Sequence, residues 1–366
     1  MDDRIARFFG IGIGGLLSLA LVMGGGLLTS CKDEGQTGKT RSANAAESQR
    51  PIVVGFAQLG SESDWRAANT VSIQAEAEKR GIDLRFTDAQ QKQENQIKAL
   101  RSFIAQKVDV IAFSPVVETG WEPVLREIKQ AGIPVILSDR GVDVTDPTLY
   151  LTFIAPDVVE EGRRAARWFV EHTTGDVKVF ELRGTPGASC AADRKNGFEE
   201  VVKANPRITI VKSQDGNFER GRGKEVMEAF LKTKEGKEFN ALYAHNDDMA
   251  LGAIQAMKEA GLKPGKDVKI VSIDAVKAAF EAMIAGELNC TVECSPLLGP
   301  QLFDVIEAVV AERRLRGTVS TADFIRLEVR QPLLENLDNM FVKRVMVKEG
   351  VFDQSVAKGL IGGRKY

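Results

Sequence analysis

Short apolar runs and longer amphipathic stretches alternate along most of the chain. Residues 52–58 (IVVGFAQ) read as a first strand, 60–64 as a loop, and a helix runs from there to Gly81. Strands at 84–87, 108–114 and 133–138 continue the series. Ile97, Leu100 and Ile104, then Val124, Leu125 and Ile128, mark the inner faces of the helices between them, and Gly132 ends the second. Four strands alternating with helices predict a parallel sheet covered on both faces.

The alternation then restarts. A short strand at 150–154 is broken by Ala155-Pro156-Asp157. Next come a helix at 158–172, a strand at 177–182, a helix near 194–203, a strand at 208–213 and a helix at 221–232. Residues 240–275 form the most legible unit. A buried strand at 240–244 meets the polar break His245-Asn246-Asp247-Asp248. Ala250, Ala253, Ile254 and Met257 then share one helix face, Gly261 stops the helix, and a strand at 269–273 ends on Asp274. Residues 288–293 suit a strand crossing back to the first lobe, with a helix at 298–313 and a strand at 323–329 behind it. Beyond Gln331 the period weakens; 341–347 suits one more strand, and 358–366 looks frayed.

The expected fold is therefore α/β: two doubly wound parallel-sheet lobes joined by three crossing segments. The lobes are expected at 51–153 with 295–326 and at 154–294 with 327–340, and 341–366 as an extension. A length of 366 residues agrees with two domains, because single cores stop growing near ~250–300 residues. In such sheets ligands bind beyond the carboxyl ends of the strands. Asn246 and Asp274 stand at two of those ends. Asn246 and the Asp after it equally suit a turn and a helix cap.

Composition narrows the classes. A formal net charge of -2 gives no field for nucleic acid, and 43% apolar residues suit a soluble globular chain. Two histidines and four scattered cysteines supply no metal-ligand spacing, so neither a metal nor another cofactor is expected. Cys290 and Cys294 lie ~13 Å apart if on one strand, too far to bridge. With Cys190 they read as free thiols. The amino-terminal segment stands apart. Residues 8–28 are apolar, Arg4 and Arg7 flank them, and the segment ends in Leu28-Thr29-Ser30-Cys31. That ending resembles the lipobox of bacterial lipoprotein signal peptides. It implies cleavage before Cys31, a lipid on its sulfur, and export of residues 32–366. An uncleaved anchor is the alternative, since 21 residues can span a ~30 Å core. Residues 32–50 lack large apolar side chains and read as a flexible tether.

Three segments carry a resemblance: QKQENQIKALRSFIAQKVDVIAFSPVVETGWEPVL, GIPVILSDR and YAHNDDMALGAIQAMKEAGLKPGKD. The chain resembles periplasmic sugar-binding proteins of the ribose and galactose type, the solute receptors of ABC importers, and within them the galactofuranose-binding proteins. The resemblance covers roughly 52–340. It implies a type I periplasmic-binding fold, with a monosaccharide between the lobes, an ABC permease as partner, a monomer, and no catalysis. Carried over by position, it implies Trp65 and Arg66 after the first strand, and Asp139 and Arg140 after the fourth. In the second lobe it implies Arg194, Phe218, Asn246 and Asp274, with Glu293 at the crossover strand. Many members have Gly where this chain has Ala275.

These residue types suit a sugar. Aromatic rings cover its C–H face, and Trp65 and Phe218 come from different lobes. Carboxylates accept from hydroxyls, and guanidinium groups donate planar, charge-assisted hydrogen bonds. Three other readings compete. Asp139, Asp274 and Glu293 could form a glycosidase-like carboxylate pair, but an Arg beside each acid would hold it ionised. A repressor of related fold needs a helix-turn-helix, where this chain has a signal segment. A sensory receptor would carry the same lobes. Trp121 and His172 are expected to be structural, and His245 to point away from the site.

Overall fold

The computed structural model describes residues 50–316, 344–347, 350–364 and 366. The apolar run 8–28, Cys31, most of the tether and the strand expected at 323–329 lie outside the described residues.

The first sheet contains β1 (Val53–Gln58), β2 (Asp83–Asp88), β3 (Val110–Phe113), β4 (Val135–Ser138) and β5 (Thr152–Pro156). Its order is β2-β1-β3-β4-β5, and the pairings are parallel. The chain reverses its direction of winding between β1 and β3, which opens a crevice at the carboxyl ends of those strands. Side chains alternate across the sheet. Val54, Phe56, Val110 and Ala112 pack on one face, with Ile73 of α1 (Asp64–Lys79) and Phe303 and Ile306 of a returning helix. Ala57, Ile111 and Phe113 pack on the other, with Leu100 and Phe103 of α2 (Gln93–Gln106) and Leu125 and Ile128 of α3 (Glu122–Gln130). Each fully buried Val, Leu, Ile or Phe side chain among these contributes about 1.5–3 kcal/mol over leaving it exposed.

The second sheet repeats the plan. It holds β6 (Val177–Arg183), β7 (Ile208–Asp215), β8 (Ala241–Ala244), β9 (Lys269–Asp274) and β10 (Cys290–Glu293), in the order β7-β6-β8-β9-β10. Helices α4 (Val158–His172), α5 (Ser189–Lys203), α6 (Arg220–Phe230), α7 (Asp247–Glu259) and α8 (Lys277–Ile284) accompany it. The sequence pattern does not announce the short α8. The returning helix, α9 (Gly299–Arg316), packs against α1.

Three expectations change. The first crossing falls after Pro156, not at Phe153, because Ile154 still pairs with Ser138 in the first sheet. The stretch expected as an extension belongs to both sheets. Strand β11 (Arg344–Val347) pairs in parallel with β5, and β12 (Val351–Phe352) pairs antiparallel with β10. The end expected to be frayed forms α10 (Gln354–Leu360), and Asp353 caps it by accepting from the Ser355 and Val356 amides.

Candidate functional site

Loops at the carboxyl ends of both sheets converge on one cavity. Trp65, Arg66, Asp139, Arg140, Arg194, Phe218, Asn246 and Asp274 all line it, so eight of the nine expected residues are brought together.

In the first lobe the loop after β1 ends at Ser63. Its hydroxyl accepts from the Arg66 amide at 3.1 Å, which starts α1 and sets Trp65 and Arg66 on its first turn. Arg66 Nη2 donates to Asp139 Oδ2 at 2.6 Å, and its Nε to Glu62 Oε1 at 3.2 Å. Ser114 Oγ donates to the same Asp139 oxygen at 3.2 Å. Burial opposes the Arg66 charge, but Asp139 and Glu62 outweigh it and hold the guanidinium above its ordinary pKa. Arg140 Nη1 donates to the Val116 carbonyl at 3.1 Å, and its guanidinium lies 5.2 Å from the Phe218 ring centre. The Trp65 indole N–H donates to the Cys294 carbonyl at 2.5 Å.

In the second lobe Arg194 is the hub. Its Nε donates to Glu161 Oε2 at 2.7 Å, Nη1 to the His245 carbonyl at 2.5 Å, and Nη2 lies 3.5 Å from Asp274 Oδ1. Glu161 is on α4 and Arg194 on α5, so the helices must touch. A Cβ on Gly162 would sit 2.2 Å from the Arg194 carbonyl, and one on Gly197 would sit 1.9 Å from the Val159 carbonyl. Glycine at both positions permits that approach. Phe218 reaches the cavity past Gly184, where a Cβ would come within 1.9 Å of its ring.

Asn246 serves both as a cap and at the cavity. Its Oδ1 accepts from the Met249 amide at 3.0 Å and caps α7, while its Nδ2 donates to the Phe218 carbonyl at 3.0 Å. Burial pushes the Asp274 carboxyl well above its ordinary value; Arg194 pulls it down, and Asp247 and Glu161 add to the rise. Burial likewise raises Asp247 to about 7 against the hydrogen bonds it accepts from Ser272, the Val276 amide and Thr291.

Backbone strain concentrates at this cavity. Asp139, Phe218, Asp274 and Ala275 have φ of 65°, 65°, 119° and 60°. L-residues avoid this region, and such residues persist where the surroundings over-determine them. The lobes are closed on each other. The Gly141 amide donates to Ser189 Oγ at 2.9 Å, the Glu118 amide to the Gly187 carbonyl at 2.8 Å, and the Asp64 amide to Asp248 Oδ2 at 2.9 Å.

Glu293 is the correction. Its Oε1 accepts from Arg364 Nη1 at 2.7 Å and the Tyr366 hydroxyl at 2.9 Å, away from the cavity. Glu293 pairs with Asp274 in the ladder, where a regular parallel pair would point both side chains the same way. The φ of 119° at Asp274 breaks that parity, and only Asp274 reaches the cavity. Four lining residues lie outside the set expected from sequence: Glu62, Ser63, Cys190 and Cys294. Cys190, Cys290 and Cys294 are buried thiols outside any disulfide. Trp121 is fully buried, His172 stacks on Trp168, and His245 turns to Glu181 at 3.2 Å.

Three carboxyl groups, Glu62, Asp139 and Asp274, face three guanidinium groups, Arg66, Arg140 and Arg194, around the cavity. That balance favours a neutral ligand carrying both donors and acceptors. Glu62 Oε2 and Arg140 Nε are buried with no hydrogen-bond partner among the described residues, one an acceptor and one a donor.

A two-lobed α/β receptor with a polar cavity between its sheets is the class this geometry defines. The family model described as periplasmic binding protein domain matches residues 54–311, and the chain belongs to that family. It is 55% identical over 259 residues to the galactofuranose-binding protein YtfQ of Escherichia coli, covering 70% of this chain and 81% of that one. A solved structure from Mycobacterium smegmatis in complex with β-D-fucofuranose is similar at 47% identity and a TM-score of 0.75, covering 86% of this chain and 95% of that one. The binding protein of the arabinose ABC transporter from Shewanella sp. ANA-3, bound to α- and β-L-arabinofuranose, is similar at 48% identity and a TM-score of 0.75, covering 86% and 96%.

Proposed function

We propose that this protein is an exported receptor that captures one monosaccharide in its furanose form and delivers it to an ABC permease. The cavity's balanced set of acids and guanidinium groups carries the reading, since a neutral polyol needs donors and acceptors together. In this reading Asp139, Asp274, Arg140 and Arg194 hydrogen-bond the hydroxyls, and Trp65 and Phe218 cover the C–H face. Glu62 Oε2 and Arg140 Nε supply one acceptor and one donor not engaged by protein hydrogen bonds. Relatives named for galactofuranose, fucofuranose and arabinofuranose share a five-membered ring and differ outside it, so the ring is the common element read.

Calorimetry with D-galactofuranose, L-arabinofuranose and methyl galactopyranoside tests this. Furanoses are expected to bind at least about tenfold tighter than the pyranoside, a difference of ~1.4 kcal/mol. A pyranose preference would remove the ring-form claim, and no binding of any neutral sugar would remove the site. The lipobox-like Leu28-Thr29-Ser30-Cys31 supports a chain held at the outer face of the cytoplasmic membrane by lipid on Cys31. Mass spectrometry of membrane-extracted protein should find a diacylated Cys31 at the mature terminus; an unmodified Cys31 would refute the anchor.

A further inference from the structure

Arg364 and Tyr366 close over the back of the turn that carries Asp274. Arg364 Nε donates to the Ala275 carbonyl at 2.6 Å and Nη1 to Glu293 at 2.7 Å. The Tyr366 hydroxyl donates to the same Glu293 oxygen at 2.9 Å, and the Lys277 amide donates to the Tyr366 carbonyl at 2.6 Å. Three rings surround the guanidinium, with centres 4.1 Å (Tyr366), 5.0 Å (Phe280) and 5.6 Å (Phe352) away. The Arg364 side chain is only 11% exposed.

The held turn is the strained one, with φ of 119° at Asp274 and 60° at Ala275. Its inner side is tied through amides. The Ala275 amide donates to Thr291 Oγ1 at 3.1 Å and the Val276 amide to Asp247 Oδ2 at 2.8 Å. Thr291 Oγ1 in turn donates to Asp247 Oδ1 at 2.8 Å. Those bonds fix two N–H groups. The bond from Arg364 holds the Ala275 carbonyl, so the peptide whose N–H Asp247 holds is gripped on both sides. A chain free to relax would leave this conformation, because L-residues avoid it.

We infer that Arg364, aided by Tyr366 and Glu293, is a positioning residue that holds Asp274 at the angle the sugar requires without touching the sugar. The inference rests on the furanose-receptor reading and gives Glu293 a role at one remove from the cavity. It also accounts for why the stretch that looks frayed in sequence is packed.

Calorimetry of the full chain with D-galactofuranose tests the inference, using Arg364→Ala, Arg364→Lys, Asp274→Asn and the Arg364→Ala/Asp274→Asn pair. Arg364→Ala is expected to weaken binding about tenfold, within the range for residues that act through others. Arg364→Lys should recover part of the loss, since an ammonium can still donate to the carbonyl. In the Asp274→Asn background the Arg364→Ala loss should shrink below about threefold, the mark of two residues acting through one contact. Parent-like binding by Arg364→Ala, whatever its melting temperature, would overturn the inference. So would an undiminished tenfold loss in the Asp274→Asn background. Hydrogen exchange at the Ala275 and Val276 amides needs no sugar and separates this inference from the reading beneath it. Arg364→Ala should speed that exchange at least about tenfold if it holds the turn. Tyr366→Phe, which keeps the ring and removes one hydroxyl, should do so more weakly. Unchanged exchange in both variants would overturn the strap even if the parent binds furanose. Faster exchange in Arg364→Ala, with a parent that binds no furanose, would instead remove the receptor reading.

Discussion

Asp274→Ala is expected to weaken furanose binding by about 2–5 kcal/mol and to leave the protein folded. The two halves of that result come from one fact. Asp274 is 3% exposed, and burial raises its carboxyl well above the ordinary value. A raised carboxyl is one whose charge the fold disfavours, so removing it need not destabilise the free protein. The sign of the pH effect has the same origin. Because burial raises this carboxyl above its unfolded value, its contribution to stability falls as pH rises through and above the ordinary carboxylate range. Asp274→Ala should flatten that fall in urea unfolding measured at several pH values. With sugar bound, the same substitution leaves hydroxyls and the Arg194 guanidinium short of a partner in a closed cavity. Parent-like affinity for every furanose tested would put the site elsewhere.

Arg194→Ala is expected to lose both binding and about 3–5 kcal/mol of stability. Its side chain is 5% exposed and the Glu161 side chain is fully buried, so truncation strands Glu161 and Asp274 as neighbouring buried acids. Arg194 also donates to the His245 carbonyl, directly before Asn246. The Asn246 cap on α7 and its bond to Phe218 would loosen with it. Adding Glu161→Gln should restore part of the stability and none of the binding, because it removes the stranded charge and not the missing donor. Unfolding free energies equal to the parent's in Arg194→Ala would refute the hub.

The two lobes were legible because sheets buried on both faces leave continuous apolar runs, and their helices leave a period near four. Asn246 and Asp274 were legible because each lies at or just beyond the end of such a run. Trp65, Arg66, Asp139, Arg140, Arg194 and Phe218 came through the family resemblance; strand-end logic alone does not reach Trp65, Arg66 and Arg194, which sit on helices, or Phe218, in the loop before α6. Glu293 failed for a reason no strand pattern carries. Its ladder partner Asp274 takes a φ of 119°, and the parity that should have placed both residues together is broken there. Cys294, one residue on, lines the cavity instead. Glu62 lay in the loop read correctly after the first strand, but its partner Arg66 is four residues away on a helix that had to be built first. The packed end at Arg364 and Tyr366 has little period of its own, since its contacts reach back to Ala275, Lys277 and Glu293.

The four left-handed residues around the cavity bear on how this receptor can be engineered as a sensor. Each such conformation costs on the order of 1–3 kcal/mol, against a total stability of roughly 5–15 kcal/mol for a domain. They fall in both lobes, at Asp139 in one and at Phe218, Asp274 and Ala275 in the other. A library sorted for heat resistance alone would therefore gain most at these codons, by drifting to glycine or asparagine. Of the four, only Ala275 is absent from the residues that line the cavity. Stabilising variants kept from such a library should carry changes at Ala275 while Asp139, Phe218 and Asp274 stay fixed by a binding screen.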